Sequence, residues 1–229
     1  MAFKHACFIS YKNGKKEDGQ LDDDLLNNFA SQIYDALESE LGAYFNFPSK
    51  VVLDIKFLKA GQLLIQVFSE AIRNSVAMIV IYTPNYLSED EMYCASELLL
   101  MRQVEMKRLQ LLNNKLTMGF LITIVLRGMP YLPAYLKNNV FLDFTPFNLS
   151  LGEIKRHPDF NGQISRIAEI IFDLSGQIEK EIKESGIEFF SDFQDYKILD
   201  IGVPGEAQLV KQFIEEVNKG EIPVIYPQM

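Results

Sequence analysis

The sequence has no apolar run long enough to cross a membrane. Its longest uninterrupted apolar segments, Val76 to Tyr82 and Gly119 to Leu126, fall far short of the ~20 residues that a membrane-spanning helix requires. Met1 to His5 leads directly into a strand pattern, without the longer apolar region and small-residue cleavage site of a secretory signal. We therefore expect no membrane span and a cytoplasmic location.

Cysteine and histidine are scarce, with two of each in 229 residues. Cys7 lies within a predicted core strand and no secretion signal provides an oxidising compartment, so we expect both thiols to be reduced. His5 and His157 have no partners at the spacing of metal ligands, and the sequence therefore predicts no metal site. Nucleophilic use of Cys94 would need a base, which neither histidine has an evident reason to supply.

Positive charge is also in short supply. Lys and Arg together number 22 against 31 Asp and Glu, which gives a formal net charge of -9. This charge disfavours binding to phosphate backbones and to anionic membrane surfaces, so we expect neither nucleic acid nor a membrane as a partner. A small anionic ligand stays possible because several lysines fall near predicted strand ends: Lys12, Lys15, Lys16, Lys56 and Lys59.

Strand and helix patterns alternate along most of the chain, and a hydrophobic content of 48% is ample for a packed core. Short apolar segments predict five strands, at His5 to Tyr11, Val51 to Ile55, Val76 to Tyr82, Gly119 to Leu126 and Val140 to Phe144. Helical spacing separates most of them, and a long amphipathic helix follows from about Asn161 to Lys183. The alternation predicts an α/β fold with a parallel sheet and helices on both faces.

The stretch from Val76 to Met101 combines a buried strand, a turn and a helix, and the helix continues as a long polar pattern to about Asn113. In open α/β sheets, ligands bind beyond the carboxyl ends of the strands. The region from Thr83 to Glu97 is therefore a candidate binding region. Glu97 is a lone acid on a helix otherwise committed to the core, and the alternative is that it is a solvated helix residue.

The last part of the chain departs from this rhythm. Gly186 ends the long helix, and the piece from Ile187 to Met229 is aromatic-rich and contains a short helix pattern around Ala207 to Val217. Roughly forty residues are too few to carry a core of their own. We therefore predict a domain over residues 1–185 and an appendage over residues 186–229 that packs on the domain or on a partner subunit.

Short motifs follow one another in a characteristic order from residue 5 to about residue 184. They are Phe8-Ile9-Ser10-Tyr11, Leu53-Asp54, Leu58-Lys59-Ala60-Gly61, Ala71-Ile72-x-x-Ser75, Tyr82-Thr83-Pro84-x-Tyr86-x-Ser88 and Tyr93-Cys94-x-x-Glu97-Leu98. Their joint order and spacing resemble the Toll/interleukin-1 receptor (TIR) domain family, although each motif alone is weak. One departure is Tyr93, which stands where the family usually has a tryptophan four positions before its glutamate.

The resemblance implies a flavodoxin-like fold, with five parallel strands in the order 2-1-3-4-5 and helices on both faces. It also implies that Glu97 is the glutamate with which many family members cleave NAD+ between nicotinamide and ribose. The expected substrate-binding residues are Ser10, Tyr11, Lys12, Asp54, Phe57, Gly61, Thr83 and Tyr93. Among them, Tyr11, Lys12 and the loop from Lys56 to Gly61 follow the first two predicted strands, so they converge on the same sheet edge as Glu97.

Several of these residues have an equally simple structural interpretation. Asp54 can cap the adjoining loop through backbone amides as readily as it can contact a ligand. Phe57 can stack on a ring of the substrate or serve a contact between TIR domains. For Lys15 and Lys16, a solvated basic loop is the simpler interpretation.

The resemblance implies an NAD+ glycohydrolase or cyclase that produces nicotinamide and linear or cyclic ADP-ribose, in a bacterial immune (anti-phage) or signalling role. NAD+ is then the substrate, and no further cofactor is expected. Activation would come from self-association through TIR–TIR contacts, and a separate sensor or effector protein is left open. The alternative is a non-enzymatic adaptor that signals through the same contacts.

A third class, the phosphorylatable receiver domain, shares the strand order. Receiver domains carry acids just after the first strand and an aspartate at the end of the third strand. This sequence has Tyr11-Lys12-Asn13 and Tyr82-Thr83 at those places, so we discard this class.

Overall fold

Five short apolar segments form one parallel sheet. The computed structural model describes residues 3–12, 25–53, 64–88, 92–147, 154–186 and 196–220. The strands are β1 (His5–Tyr11), β2 (Val51–Leu53), β3 (Ser75–Tyr82), β4 (Leu121–Val125) and β5 (Val140–Asp143). All pairings are parallel and the spatial order is β2-β1-β3-β4-β5. The predicted α/β flavodoxin-like fold is therefore confirmed.

The described residues form six α-helices around the sheet. They are α1 (Leu25–Glu40), α2 (Leu64–Asn74), α3 (Met92–Leu111), α4 (Ala134–Lys137), α5 (Phe160–Ser185) and α6 (Pro204–Asn218). Helix α5 ends at Gly186, whose φ of 65° lies in the left-handed region that glycine adopts without a steric penalty. Among the described helices, none is both long and apolar enough to cross a membrane.

The helices pack in two groups. Helices α1 and α5 contact each other and β1, while α2 and α3 form a second pair that also contacts β1. All eight residues of β3 are buried, as expected for a central strand of a parallel sheet covered on both faces. This arrangement explains why the strands are nearly continuous apolar runs rather than alternating patterns.

Helix α3 differs from the long polar helix that the sequence predicts. Its polar residues Gln103, Glu105 and Arg108 are buried, because the helix lies between the sheet, α2 and α6. A helix that is covered on most sides has no polar stripe facing solvent. The polar residues of α3 therefore do not indicate that the helix is exposed. Each buried charge must then find partners within the protein.

Arg108 shows how this requirement is met. Its guanidinium donates to the carbonyl oxygens of Arg73 and Ser75, both at 2.9 Å, at the junction of α2 and β3. It also lies 5.0 Å from the ring centroids of Phe3 and Phe120. Burial lowers the pKa of Arg108 to about 9, so the side chain keeps its charge at neutral pH. Arg108 therefore ties α3 to the amino end of the central strand.

Residues 196–220 pack on the outer side of α3. Side chains of α6 are buried, including Val210, Phe213 and Val217, and the Phe213 ring meets the Tyr135 ring of α4 edge to face at 6.5 Å. Phe189, Phe190 and Phe193 of the aromatic-rich piece lie outside the described residues. The boundary between a 1–185 domain and a 186–229 appendage stays a prediction.

The segment between β4 and β5 contains more structure than the sequence predicts. A 3-10 turn covers Met129–Tyr131, and the four-residue helix α4 follows. Both elements are shorter than two helical turns, so they leave no periodic apolar pattern by which to recognise them.

Candidate functional site

The carboxyl ends of β1 and β3 define the place where a ligand would bind. Tyr11 lies opposite Ile81 in the register of these two strands, so the residues that follow them emerge side by side. Strand β2 lies beside β1 on one side, whereas β3, β4 and β5 follow one another on the other side. This reversal is the topological switch point at which open α/β sheets form their binding crevice.

Glu97 of α3 meets β1 at this point. Its Oε2 accepts a hydrogen bond from Ser10 Oγ at 2.6 Å. The residue is only 9% exposed, and Ser10 is 1% exposed. Glu97 is thus not the solvated helix residue that the sequence left open as an alternative, but a buried acid attached to the end of a central strand.

A third polar side chain, Tyr86, extends this contact. Its hydroxyl oxygen lies 2.7 Å from Ser10 Oγ, and the residue is fully buried in the turn after β3. Burial raises the pKa of Tyr86 well above its ordinary value, and the nearby ionisable groups of Cys94 and Glu97 raise it further. The phenol is therefore protonated at neutral pH. We call Tyr86, Ser10 and Glu97 the polar triad.

Tyr86 belongs to a motif that resembles the TIR family, but the sequence does not predict it as a site residue. It lies 76 positions from Ser10 in the sequence, and an aromatic residue near an apolar strand is ordinarily core. Only the path of the turn after β3 brings its hydroxyl to the carboxyl end of β1. No spacing within the sequence signals that contact.

The turn that carries Tyr86 is held from two sides. The Tyr86 amide donates to the Thr83 carbonyl at 2.9 Å, which closes the turn. The loop after β4 packs against it, since Tyr82 donates its hydroxyl to the Tyr131 carbonyl at 2.9 Å. At Gly128 a Cβ atom would lie 2.6 Å from Pro84 Cγ, so only glycine permits this approach.

Cys94 lies one helical turn before Glu97 and belongs to the same region. Its Sγ donates to the Tyr11 carbonyl at 3.4 Å. His5 is at the opposite end of β1, about 20 Å from Tyr11 at the rise of a parallel strand, and its ring contacts the Ser49 carbonyl. His157 contacts Asp159 and Phe147. The structure therefore places neither histidine so that it could act as a base for Cys94.

The other predicted substrate-binding residues divide into two groups. Tyr11, Lys12 and Thr83 lie at the carboxyl ends of β1 and β3, and Tyr93 is 51% exposed at the start of α3. They share the edge of the sheet at which Glu97 lies. Asp54, Phe57 and Gly61 lie outside the described residues, as do Lys56 and Lys59.

The arrangement offers a buried carboxylate, that of Glu97, at the switch point of the sheet. Such an anion can stabilise a positive charge that develops on a bound molecule, because a poorly solvated site screens the interaction less than water does. Within the described ranges, no group of three or more His, Cys, Asp or Glu side chains could hold a metal ion. No protein-family model matches the chain, and no curated protein matches it either.

Proposed function

We propose that this chain is a TIR-domain enzyme that cleaves NAD+ at the bond between nicotinamide and ribose. The observation that carries the proposal is the position of the Glu97 carboxylate, buried and hydrogen-bonded by Ser10 at the switch point of a 2-1-3-4-5 sheet. The family motifs around Ser10 and Glu97 support the same function independently of this geometry.

The chemistry of NAD+ explains why one carboxylate suffices. Nicotinamide departs as a neutral molecule from a cationic pyridinium, so the leaving group needs no proton. The barrier lies mainly in the oxocarbenium character that develops on the ribose. Glycosidases that expel an alkoxide need a second carboxyl group as a general acid, whereas here a single anion beside the ribose can stabilise the transition state.

The remaining parts of the proposal follow the family. The reaction yields nicotinamide and linear or cyclic ADP-ribose, with NAD+ as the substrate and no further cofactor. Self-association through TIR–TIR contacts activates the enzyme in the cytoplasm, in an anti-phage or signalling role. The loop from Phe57 to Gly61 is the segment that the family motif assigns to such a contact.

Product analysis tests the proposal. Purified protein is incubated with NAD+ at increasing protein concentration and with a crowding agent, and the products are resolved by mass. We expect nicotinamide and an ADP-ribose species in equal amounts, formed at a rate that rises faster than the protein concentration. Absence of turnover under every assembling condition would contradict the enzyme and favour the adaptor that signals without chemistry.

A further inference from the structure

The three members of the polar triad come from three different elements. Ser10 is the penultimate residue of β1, Tyr86 belongs to the turn after β3, and Glu97 lies on α3. The oxygen atoms form a continuous series, with 2.7 Å between Tyr86 and Ser10 and 2.6 Å between Ser10 and Glu97. Tyr86 and Ser10 are both buried almost completely, so their hydroxyl groups bind within the protein. The substrate contact that the resemblance implies for Ser10 stays a prediction.

The hydrogen bonds of the triad have one direction when Glu97 is ionised. A carboxylate accepts only, so Ser10 must donate its single proton to Glu97 Oε2. Ser10 Oγ then accepts from Tyr86, whose hydroxyl is protonated. Hydrogen bonds in such a series strengthen one another, and a bond to an ionised acceptor is the strongest kind.

We propose that Ser10 and Tyr86 are positioning residues that hold the Glu97 carboxylate in place for its reaction. Ser10 fixes one carboxylate oxygen, and Tyr86 acts through Ser10 by keeping the serine proton directed at Glu97. This inference rests on the proposed function, in which Glu97 stabilises the ribosyl cation. It gives Ser10 and Tyr86 an effect on the rate that requires no contact with NAD+.

A purely structural role for the triad predicts different behaviour. Three buried polar groups that merely join β1, the turn and α3 would lower the melting temperature when one is removed. They would not change kcat in a properly folded enzyme. A positioning role lowers kcat and leaves KM for NAD+ unchanged, because the lost contact matters most in the transition state.

Kinetics of Tyr86→Phe, Ser10→Ala and the double variant separate these roles. We expect kcat to fall about tenfold in Tyr86→Phe and about thirtyfold in Ser10→Ala, in line with the loss of a neutral and of a charged hydrogen bond. KM should stay within about twofold, as expected for a contact that matters only in the transition state. The double variant should be no slower than Ser10→Ala, because Tyr86 has nothing to act through once Ser10 is gone.

Tyr135→Phe is the matched control. Tyr135 is also a buried tyrosine beside α3, and its pKa is also raised by burial. Its ring meets the Phe213 ring edge to face, and it acts on Tyr86 only through space, as the smallest of the causes that shift the Tyr86 pKa. We expect its kcat to equal that of the parent. Full activity of Tyr86→Phe, or multiplying losses in the double variant, would overturn the positioning role.

An infrared measurement tests the contact without relying on turnover. The carboxylate stretching band of Glu97 is assigned as the band lost in Glu97→Gln. It should shift in Tyr86→Phe and in Ser10→Ala and stay in place in Tyr135→Phe. A parent without NAD+ turnover but with these shifts would contradict the proposed function alone. A band that stays in place in both Ser10→Ala and Tyr86→Phe would overturn the positioning role, whatever the activity. If Ser10→Ala has a lowered melting temperature, the band position in Tyr86→Phe alone decides the test.

Discussion

Helix α3 carries two buried glutamates whose partners differ. Glu105 pairs with Arg102 at 2.9 Å and accepts from the Phe120 amide at 3.2 Å, so its charge is balanced by a cation within the core. Glu97 accepts from the Ser10 hydroxyl at the sheet edge where open α/β sheets usually bind their ligands. The same residue type is thus a structural group in one place and a candidate reactive group two turns earlier.

Substitution of Cys94 distinguishes catalysis by a cysteine nucleophile from electrostatic catalysis by Glu97. Cys94→Ser should retain most of the NAD+-cleaving activity, because the serine hydroxyl can still donate to the Tyr11 carbonyl and neither histidine lies within reach of residue 94. The free energy of unfolding should fall by no more than about 1 kcal/mol, a typical value for a point substitution. Nicotinamide release and thermal melting check both. Complete inactivation of a variant that melts normally would instead support a cysteine nucleophile.

Among the secondary-structure elements, α3 is the one on which the site depends. Its inner side presents Glu97 to β1, and its outer side is held by the segment 196–220. Ser96, the neighbour of Glu97, donates to the Leu199 carbonyl at 3.0 Å, and the Ile198 amide donates to Ser69 Oγ of α2 at 2.8 Å. The last described segment therefore fixes the position of the site helix from behind.

Substitution of Phe213 tests whether α6 stabilises the position of α3. Phe213→Ala should lower the free energy of unfolding by about 3–5 kcal/mol, the usual cost of deleting a fully buried phenylalanine side chain. Phe172→Ala is the matched control, since Phe172 is 45% exposed on α5 and should cost clearly less. Urea unfolding of both variants gives the comparison. Equal costs would show that α6 contributes little to holding α3.

The sequence predicts most elements, and the misses concern short elements and the exposure of α3. Contiguous apolar segments predict the strands β1 to β4, which are buried almost throughout, and a shorter apolar segment predicts the partly exposed edge strand β5. The exposure of α3 is not predictable in this way, because residues 196–220 cover it, and the Ser96–Leu199 hydrogen bond between them spans 103 positions of the chain. Its buried Arg108 is stabilised by carbonyl groups of α2 and β3 that no local pattern indicates.

For the molecule as a whole, the strand order is what assembles the site. Ser10 and Glu97 belong to sequence motifs that resemble those of the TIR family, and in the structure α3 brings Glu97 to Ser10 of β1. The Tyr86 contact could not be predicted, because it depends on the path of a turn that the loop after β4 supports. Asp54, Phe57 and Gly61 stay predictions.

The rate of nicotinamide release by Glu97→Gln tests the central claim most directly. Glutamine keeps the size of the side chain and nearly the same helix propensity, but it removes the charge that stabilises the ribosyl cation. Losing one such electrostatic partner costs about 3 kcal/mol, so the rate should fall at least about a hundredfold. Glu105→Gln, the same change in the same helix, should stay near the parental rate once equal folding is confirmed by thermal melting. An active parent with an equally active Glu97→Gln variant would contradict the account.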